Sequence, residues 1–235
     1  FTTTLADNVE NLILTGTDAI NGTGNGLNNE ITGNVGANVL FGGDGNDILS
    51  ARGGNDVLWG ASNALESLGD IDILSGGLGS DRFILGTETE TFYDDGNVTT
   101  AGLLDYALIT DLDITTDIVQ LNGRLADYVL VENAPGLTSG TAIFLKELGG
   151  TDELIGVLED VVGVTLSDRI FQFVPNLPPE LDLNGTEDGI DATAIYIEDA
   201  APVAIASPLL TVTDENSANL VSATLSLANT PDGEA

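Results

Sequence analysis

The chain has 235 residues, 29 of them Gly, and contains no Cys, Met or His. Five Lys and Arg face 38 Asp and Glu, a formal net charge of −33 at pH 7. Such a chain repels nucleic-acid phosphates and anionic membranes, attracts cations, has no disulfide framework, and lacks the imidazole on which much acid–base chemistry rests.

Hydrophobic residues make up 42% of the chain, so the acidity does not signal disorder and a packed core is expected. No run of about 18 apolar residues exists, so membrane insertion by a helix is not expected. The Gly-rich stretches lack a phosphate-loop Lys, and neither H-E-x-x-H nor G-x-S-x-G occurs. The chain is therefore read as non-enzymatic.

From the N-terminus to residue 84 a pattern recurs: Asp or Asn, any residue, an apolar residue. The polar position falls at Asp18, Asn29, Asn38, Asp47, Asp56, Asp72 and Asp81, with gaps of 11, 9, 9, 9, 16 and 9 residues. Two residues on come Ile20, Ile31, Leu40, Leu49, Leu58, Leu74 and Phe83. Gly36, Gly45, Gly54 and Gly79 stand two residues before the polar position. A strand this short cannot stand alone, but stacked on copies of itself it lines a continuous core. The Gly positions permit tight, left-handed turns. Asp side chains in stacked turns lie about 5 Å apart and repel unless a cation separates them. Oxygen-only ligands, carboxylate plus turn carbonyl, suit a hard and flexibly coordinated ion such as Ca²⁺.

The nonapeptides "GGDGNDILS" (42–50) and "GGLGSDRFI" (76–84) fit G-G-x-G-x-D-x-U-x at every fixed position. "ARGGNDVLW" (51–59) keeps Gly54, Asp56 and Leu58, and "GNVGANVLF" (33–41) has Asn38 in place of the Asp. These segments resemble the RTX (repeats-in-toxin) calcium-binding family. The resemblance implies an all-β fold, a right-handed parallel β-roll with two nonapeptides per turn, holding several Ca²⁺ ions. Carried over residue by residue, it implies metal ligation by Asp47, Asp56, Asp72 and Asp81 and by the turns of Gly43, Gly45, Gly54, Gly77 and Gly79. Asn29 and Asn38 occupy equivalent positions without the charge and are counted as the weaker metal ligands. Asn29 is placed over Asp47, and Asn38 over Asp56. The insert "GASNALESLGD" (60–70) leaves open whether Asp72 or Asp81 stacks on Asp56. Trp59 is expected to pack on that insert.

Residues 85–174 lose the Gly–Asp period. Alternating apolar runs at 106–123, 127–134, 141–148, 153–161 and 169–174 read as strands. "LITDLDITTDIVQL" resembles the segment that closes the open end of such rolls, which implies a β-rich C-terminal cap over 85–174. In "FYDDGN" the adjacent Asp94 and Asp95 either hold a further cation or form a solvated turn. Residues 175–180 are a Pro-rich linker. Residues 181–235 read as short strands resembling the start of a cadherin-like or immunoglobulin-like sandwich, a partial β-sandwich.

The expected function is a calcium-binding structural segment of a secreted or cell-surface bacterial protein, such as an adhesin, a surface layer or an extracellular filament. Folding would follow Ca²⁺ binding outside the cell. The family resemblance implies type I secretion. The alternative is the non-catalytic RTX part of a secreted enzyme or toxin. Calcium is the expected partner, together with copies of the chain itself through strand addition. Nucleic acid is not an expected partner.

Overall fold

The computed structural model describes residues 1–61, 69–174, 180–182 and 211–213. The chain divides into two compact units, Phe1–Asn176 and Leu177–Ala235. In the second unit β16 (Glu180–Asp182) pairs antiparallel with β17 (Thr211–Thr213). The expected sandwich over 181–235 otherwise lies outside the described residues.

The first unit is a parallel β-roll of two facing sheets. One sheet takes the odd-numbered early strands: β1 (Thr2–Thr4), β3 (Asn21–Thr23), β5 (Val39–Gly43), β7 (Val57–Ala61) and β9 (Arg82–Ile84). It continues through β11 (Ile118–Asn122) to β15 (Phe171–Val174). The other takes β2 (Asn11–Ile13), β4 (Glu30–Thr32), β6 (Ile48–Ser50), β8 (Ile71–Ser75) and β10 (Tyr106–Ile109). Beyond β10 it adds β14 (Glu153–Glu159), β13 (Gly140–Leu145) and β12 (Tyr128–Glu132). All pairings are parallel except β12 with β13 and β13 with β14. Up to β11 the chain thus alternates between sheets, and each strand from β1 to β9 pairs with the strand two places on.

That alternation explains the period. Most of the early strands have only three residues, of which the middle one points inward. In one sheet the inward column runs Leu40, Leu58, Phe83, Val119, Phe171. In the other it runs Ile31, Leu49, Leu74, Ile109, Leu158. All ten are buried in one hydrophobic cluster extending from Leu14 to Phe171. Each full burial of such a side chain is worth about 1.5–3 kcal/mol, so the stacking of turns supplies what no single three-residue strand could.

Two expectations change, and the one for Trp59 falls mostly outside the described residues. The alignment on Asp18 slips by two residues: Gly22 pairs with Leu40 and takes the inward slot, which puts Ile20 rather than Asp18 level with Asn38. A Cβ on Gly22 would press on Leu12 and Ile31, so the opposite sheet already fills that slot. The apparent 11-residue gap is a strict nine-residue step once Ile20 is counted. The run 106–123 is two strands, β10 and β11, on different sheets, because "DLDITT" makes the turn between them. Trp59 packs between the rings of Phe41 and Phe92, at 6.4 and 5.8 Å. Most of the insert beside it, 62–68, lies outside the described residues. Among the described residues no helix is long and apolar enough to cross a membrane.

Leu49→Ala empties a fully buried slot between Ile31 and Leu74 and should cost about 2–5 kcal/mol. Its neighbour Ile48 is half exposed, and Ile48→Ala should cost less than about 1 kcal/mol. Urea midpoints of the two variants under one ion condition check the difference.

Candidate metal centre

From β4 to β9 each strand is entered from a tight turn, and the residue at or just inside that entry is polar and buried. Asn29, Asn38, Asp47, Asp56, Asp72 and Asp81 are all at most 2% exposed. They form two vertical ladders, one at the edge of each sheet. In the first, Asn29 N–H donates to Asp47 Oδ1 at 2.6 Å and Asp47 N–H to Asp72 Oδ1 at 2.8 Å. In the second, Asn38 N–H donates to Asp56 Oδ1 at 2.6 Å, and Asp56 N–H to Asp81 Oδ1 at 2.8 Å. Asp81 N–H then donates to Asp117 Oδ1 at 2.9 Å. The insert question is answered here: Asp72 stacks on Asp47 and Asp81 on Asp56. Regular rungs are 18 residues apart, and both rungs that span the insert are 25 apart.

In the nonapeptides 42–50 and 76–84 the first Gly makes room for this. A Cβ on Gly42 would collide with Asp47 Oδ2, and one on Gly76 with Asp81 Oδ2. Gly60 serves Asp72 in the same way across the insert. The turn residues Gly43, Gly45, Gly54, Gly77 and Gly79 all have φ between +88° and +146°, the region open to glycine at little cost. Successive turns stack so closely that a Cβ on Gly79 would overlap the carbonyl of Gly54, and one on Gly77 the carbonyl of Arg52.

One oxygen of each Asp is thereby used, and the fate of the other separates the rungs. Asp47 Oδ2, Asp56 Oδ2 and Asp81 Oδ2 are buried and have no hydrogen-bond partner. Asp72 Oδ2 accepts the Tyr93 hydroxyl at 2.7 Å. Asp117 Oδ2 accepts Asp113 N–H at 2.8 Å. The Asn rungs satisfy themselves. Asn38 Oδ1 accepts Asn34 N–H at 2.9 Å and its amide donates to the Ile20 carbonyl at 2.7 Å. Asn29 Oδ1 accepts Asn25 N–H at 2.7 Å, and its amide donates to Asn25 Oδ1 at 3.2 Å.

The charges are correspondingly strained. Burial lifts Asp47 to about 8, helped by the charges of Asp72, Asp70 and Asp44 and opposed by the Asn29 N–H. Burial lifts Asp56 to about 6, with Asp81 adding to it. Asp81 is raised by burial and by Asp117 and Asp111. Burial lifts Asp72 to about 7 although the Tyr93 hydroxyl pulls it down. No Lys or Arg is among the charges acting on any of the four. An unpaired buried carboxylate is costly, and a hard cation bound through Oδ2 removes that cost. Among the described residues no three carboxylates converge on one point, so the rest of such an ion's shell must come from turn carbonyls or water.

Residues 23–58 match the model of the RTX calcium-binding nonapeptide repeat, in 4 copies. This stretch is an RTX repeat array. RTX repeats bind Ca²⁺, several ions per repeat region, and the orphaned Oδ2 atoms suit such ions. Among solved structures the chain is similar to two repeat subunits of the Azotobacter vinelandii mannuronan C5-epimerase. One is AlgE6R3, at 18% identity and TM-score 0.39, covering 85% of this chain and 100% of that one. The other is AlgE6R2, at 19% identity and TM-score 0.39, covering 68% and 95%. No curated protein sequence matches the chain.

Sequence reasoning missed Asp117, although it carries the same signal: Asp117, any residue, Val119, without the preceding Gly. It also missed Tyr93, which reaches Asp72 from outside the repeats and leaves no periodic trace.

Two outcomes follow for the RTX array. Asp47 and Asp56 titrate near 8 and 6 in the folded chain against 3.8 when exposed, so the ion-free fold holds more protons than the unfolded chain across that window. Its stability should therefore fall as pH rises from about 4 to about 8. Urea midpoints in chelator at stepped pH check this, and a midpoint that rises over the same range would contradict it. Separately, Gly42→Ala should cost about 1–3 kcal/mol, because the new methyl collides with Asp47 Oδ2. Gly53→Ala, where a Cβ would be 3.5 Å from its nearest neighbour, should be close to neutral in the same denaturation assay.

Proposed function

We propose that this calcium-binding segment is a structural, non-catalytic part of a secreted or cell-surface bacterial protein, an adhesin, surface layer or extracellular filament. Residues 1–84 are its ion-clamped roll and residues 85–174 its cap. Asp47, Asp56 and Asp81 hold the ions through Oδ2, with the carbonyl groups of the turns at Gly43, Gly45, Gly54, Gly77 and Gly79. Asp72, already bonded to Tyr93, adds negative charge beside Asp47 and braces its rung. Asn29 and Asn38 continue the ladders without ions.

The observation that carries this reading is the set of three buried, partnerless carboxylate oxygens in register with an RTX array. Ion-free, these oxygens oppose folding. In a compartment poor in Ca²⁺ the chain is held open, and at roughly millimolar Ca²⁺ the coupling of binding to folding closes it. That difference suits export in an open state followed by folding outside, as type I secretion requires.

Far-ultraviolet circular dichroism should record a coil-to-β transition on Ca²⁺ addition, reversed by chelator. A fold indifferent to chelator overturns the reading. Asp56→Ala and Asp81→Ala should each raise the Ca²⁺ midpoint about tenfold or more, the loss of one charged ligand, while Asn29→Ala should leave it nearly unchanged.

A further inference from the structure

Outside the two ladders, two more carboxyl groups are buried without a hydrogen bond of ordinary geometry. Asp105 and Glu153 are 3% and 1% exposed, and their four carboxylate oxygens have only weak approaches from backbone N–H groups, those of Gly69 and Asp70 at Asp105 and that of Asp95 at Glu153, which ease the charge without offsetting its burial. Asp105 immediately precedes β10, and Glu153 opens β14, the strand that pairs with β10. Asp95, Asp94 and Asp105, in that order, add to the field at Glu153. Asp70 and Asp95 do the same at Asp105. No Lys or Arg is among the charges acting on either group.

The loop between Tyr93 and β10 wraps this pair. Leu154 N–H donates to the Ala101 carbonyl at 3.1 Å and Thr151 N–H to the Val98 carbonyl at 2.8 Å, which ties the loop to β14 and its approach. Gly102 has φ +58°, and a Cβ there would collide with Glu153 Oε1, so the loop leaves the carboxylate a cradle. This repeats the relation of Gly42 to Asp47. A cleft opens onto the same loop, with Asp95, Asn97, Thr100, Gly102 and Asp105 in its wall.

We propose that Asp105 and Glu153 form a divalent-cation site of their own, separate from the RTX ladders, at the junction of this loop with β10 and β14. The chain has no His or Cys, so the donors are oxygens and the ion is hard, of the Ca²⁺ class. Among the described residues no third carboxylate converges with them, so loop carbonyls and water complete the shell. The ion fastens a 12-residue loop otherwise held by a few backbone hydrogen bonds, and so makes the cap as well as the roll depend on Ca²⁺. The competing occupant is the proton, since burial lifts both groups to about 7.

Native mass spectrometry of the full chain in graded Ca²⁺ at pH 8 separates the two. Asp105→Asn and Glu153→Gln should each bind one ion fewer than the parent, with the circular-dichroism Ca²⁺ midpoint of the array moved less than about threefold. On the unaltered chain, substoichiometric Gd³⁺ should broaden the amide resonances of Ala101, Gly102 and Leu154, a readout that does not require either variant to fold. An unchanged ion count with those three amides left sharp overturns the proposal and identifies a protonated carboxyl pair. Loss of the ladder ions in Asp56→Ala and Asp81→Ala with these amides still broadened would leave this site standing on its own.

Discussion

The structure depends on like charges being stacked inside it. Two columns of carboxylates run along the edges of the sheets, buried, with no Lys or Arg acting on them. In an ordinary soluble domain a buried acid is paired with a base or kept neutral. Here the chain has too few basic residues for the first option, and at neutral pH the second is only half available. The backbone meets part of the demand by giving each Asp one N–H from the turn before. At Asp47, Asp56 and Asp81 the other oxygen is left without a partner in the protein. Under the proposed function, stability is thereby tied to a solute, which holds down the turns that carry the hydrophobic columns.

The difference between a rung with an unpartnered oxygen and one without is a single atom. Asn38 and Asp56 occupy the same position one turn apart. The amide of Asn38 donates to a carbonyl of the turn before, where the carboxylate of Asp56 can only accept. Replacing O⁻ by NH₂ removes the charge and supplies a donor, and the N-terminal rungs close with protein atoms alone. Tyr93 achieves the same for Asp72 from a distance, its hydroxyl filling the acceptor that would otherwise be empty.

Much of this was legible in the sequence because the roll is built from a local rule. A nine-residue period, an apolar residue two places after each Asp, and Gly at fixed offsets are enough to place the strands, the core columns and the ladders. The rule misleads where its letters are missing. Gly22 takes an inward slot with no side chain, so the apolar pattern pointed to Ile20 instead. The stacking of Asp72 on Asp47 depends on how many residues the insert loops out, which composition does not reveal. Asp105 and Glu153 are 48 positions apart and share no motif, since their meeting depends on β10 and β14 becoming neighbours.

Nearly identical units bring an ambiguity of their own. A strand of this roll moved along by one full turn would still meet Leu or Ile in the core and Asp or Asn in the ladder, so the repeat pattern alone does not select one alignment. Tyr93 breaks that equivalence. It is held in a left-handed backbone conformation, φ 61°, which an aromatic residue adopts only at a cost, and its hydroxyl has one acceptor at the right height, Asp72. A slipped array would bury that phenol against the wrong turn. The tyrosine acts as an index mark, identifying one rung among many look-alikes and setting the count for the rest.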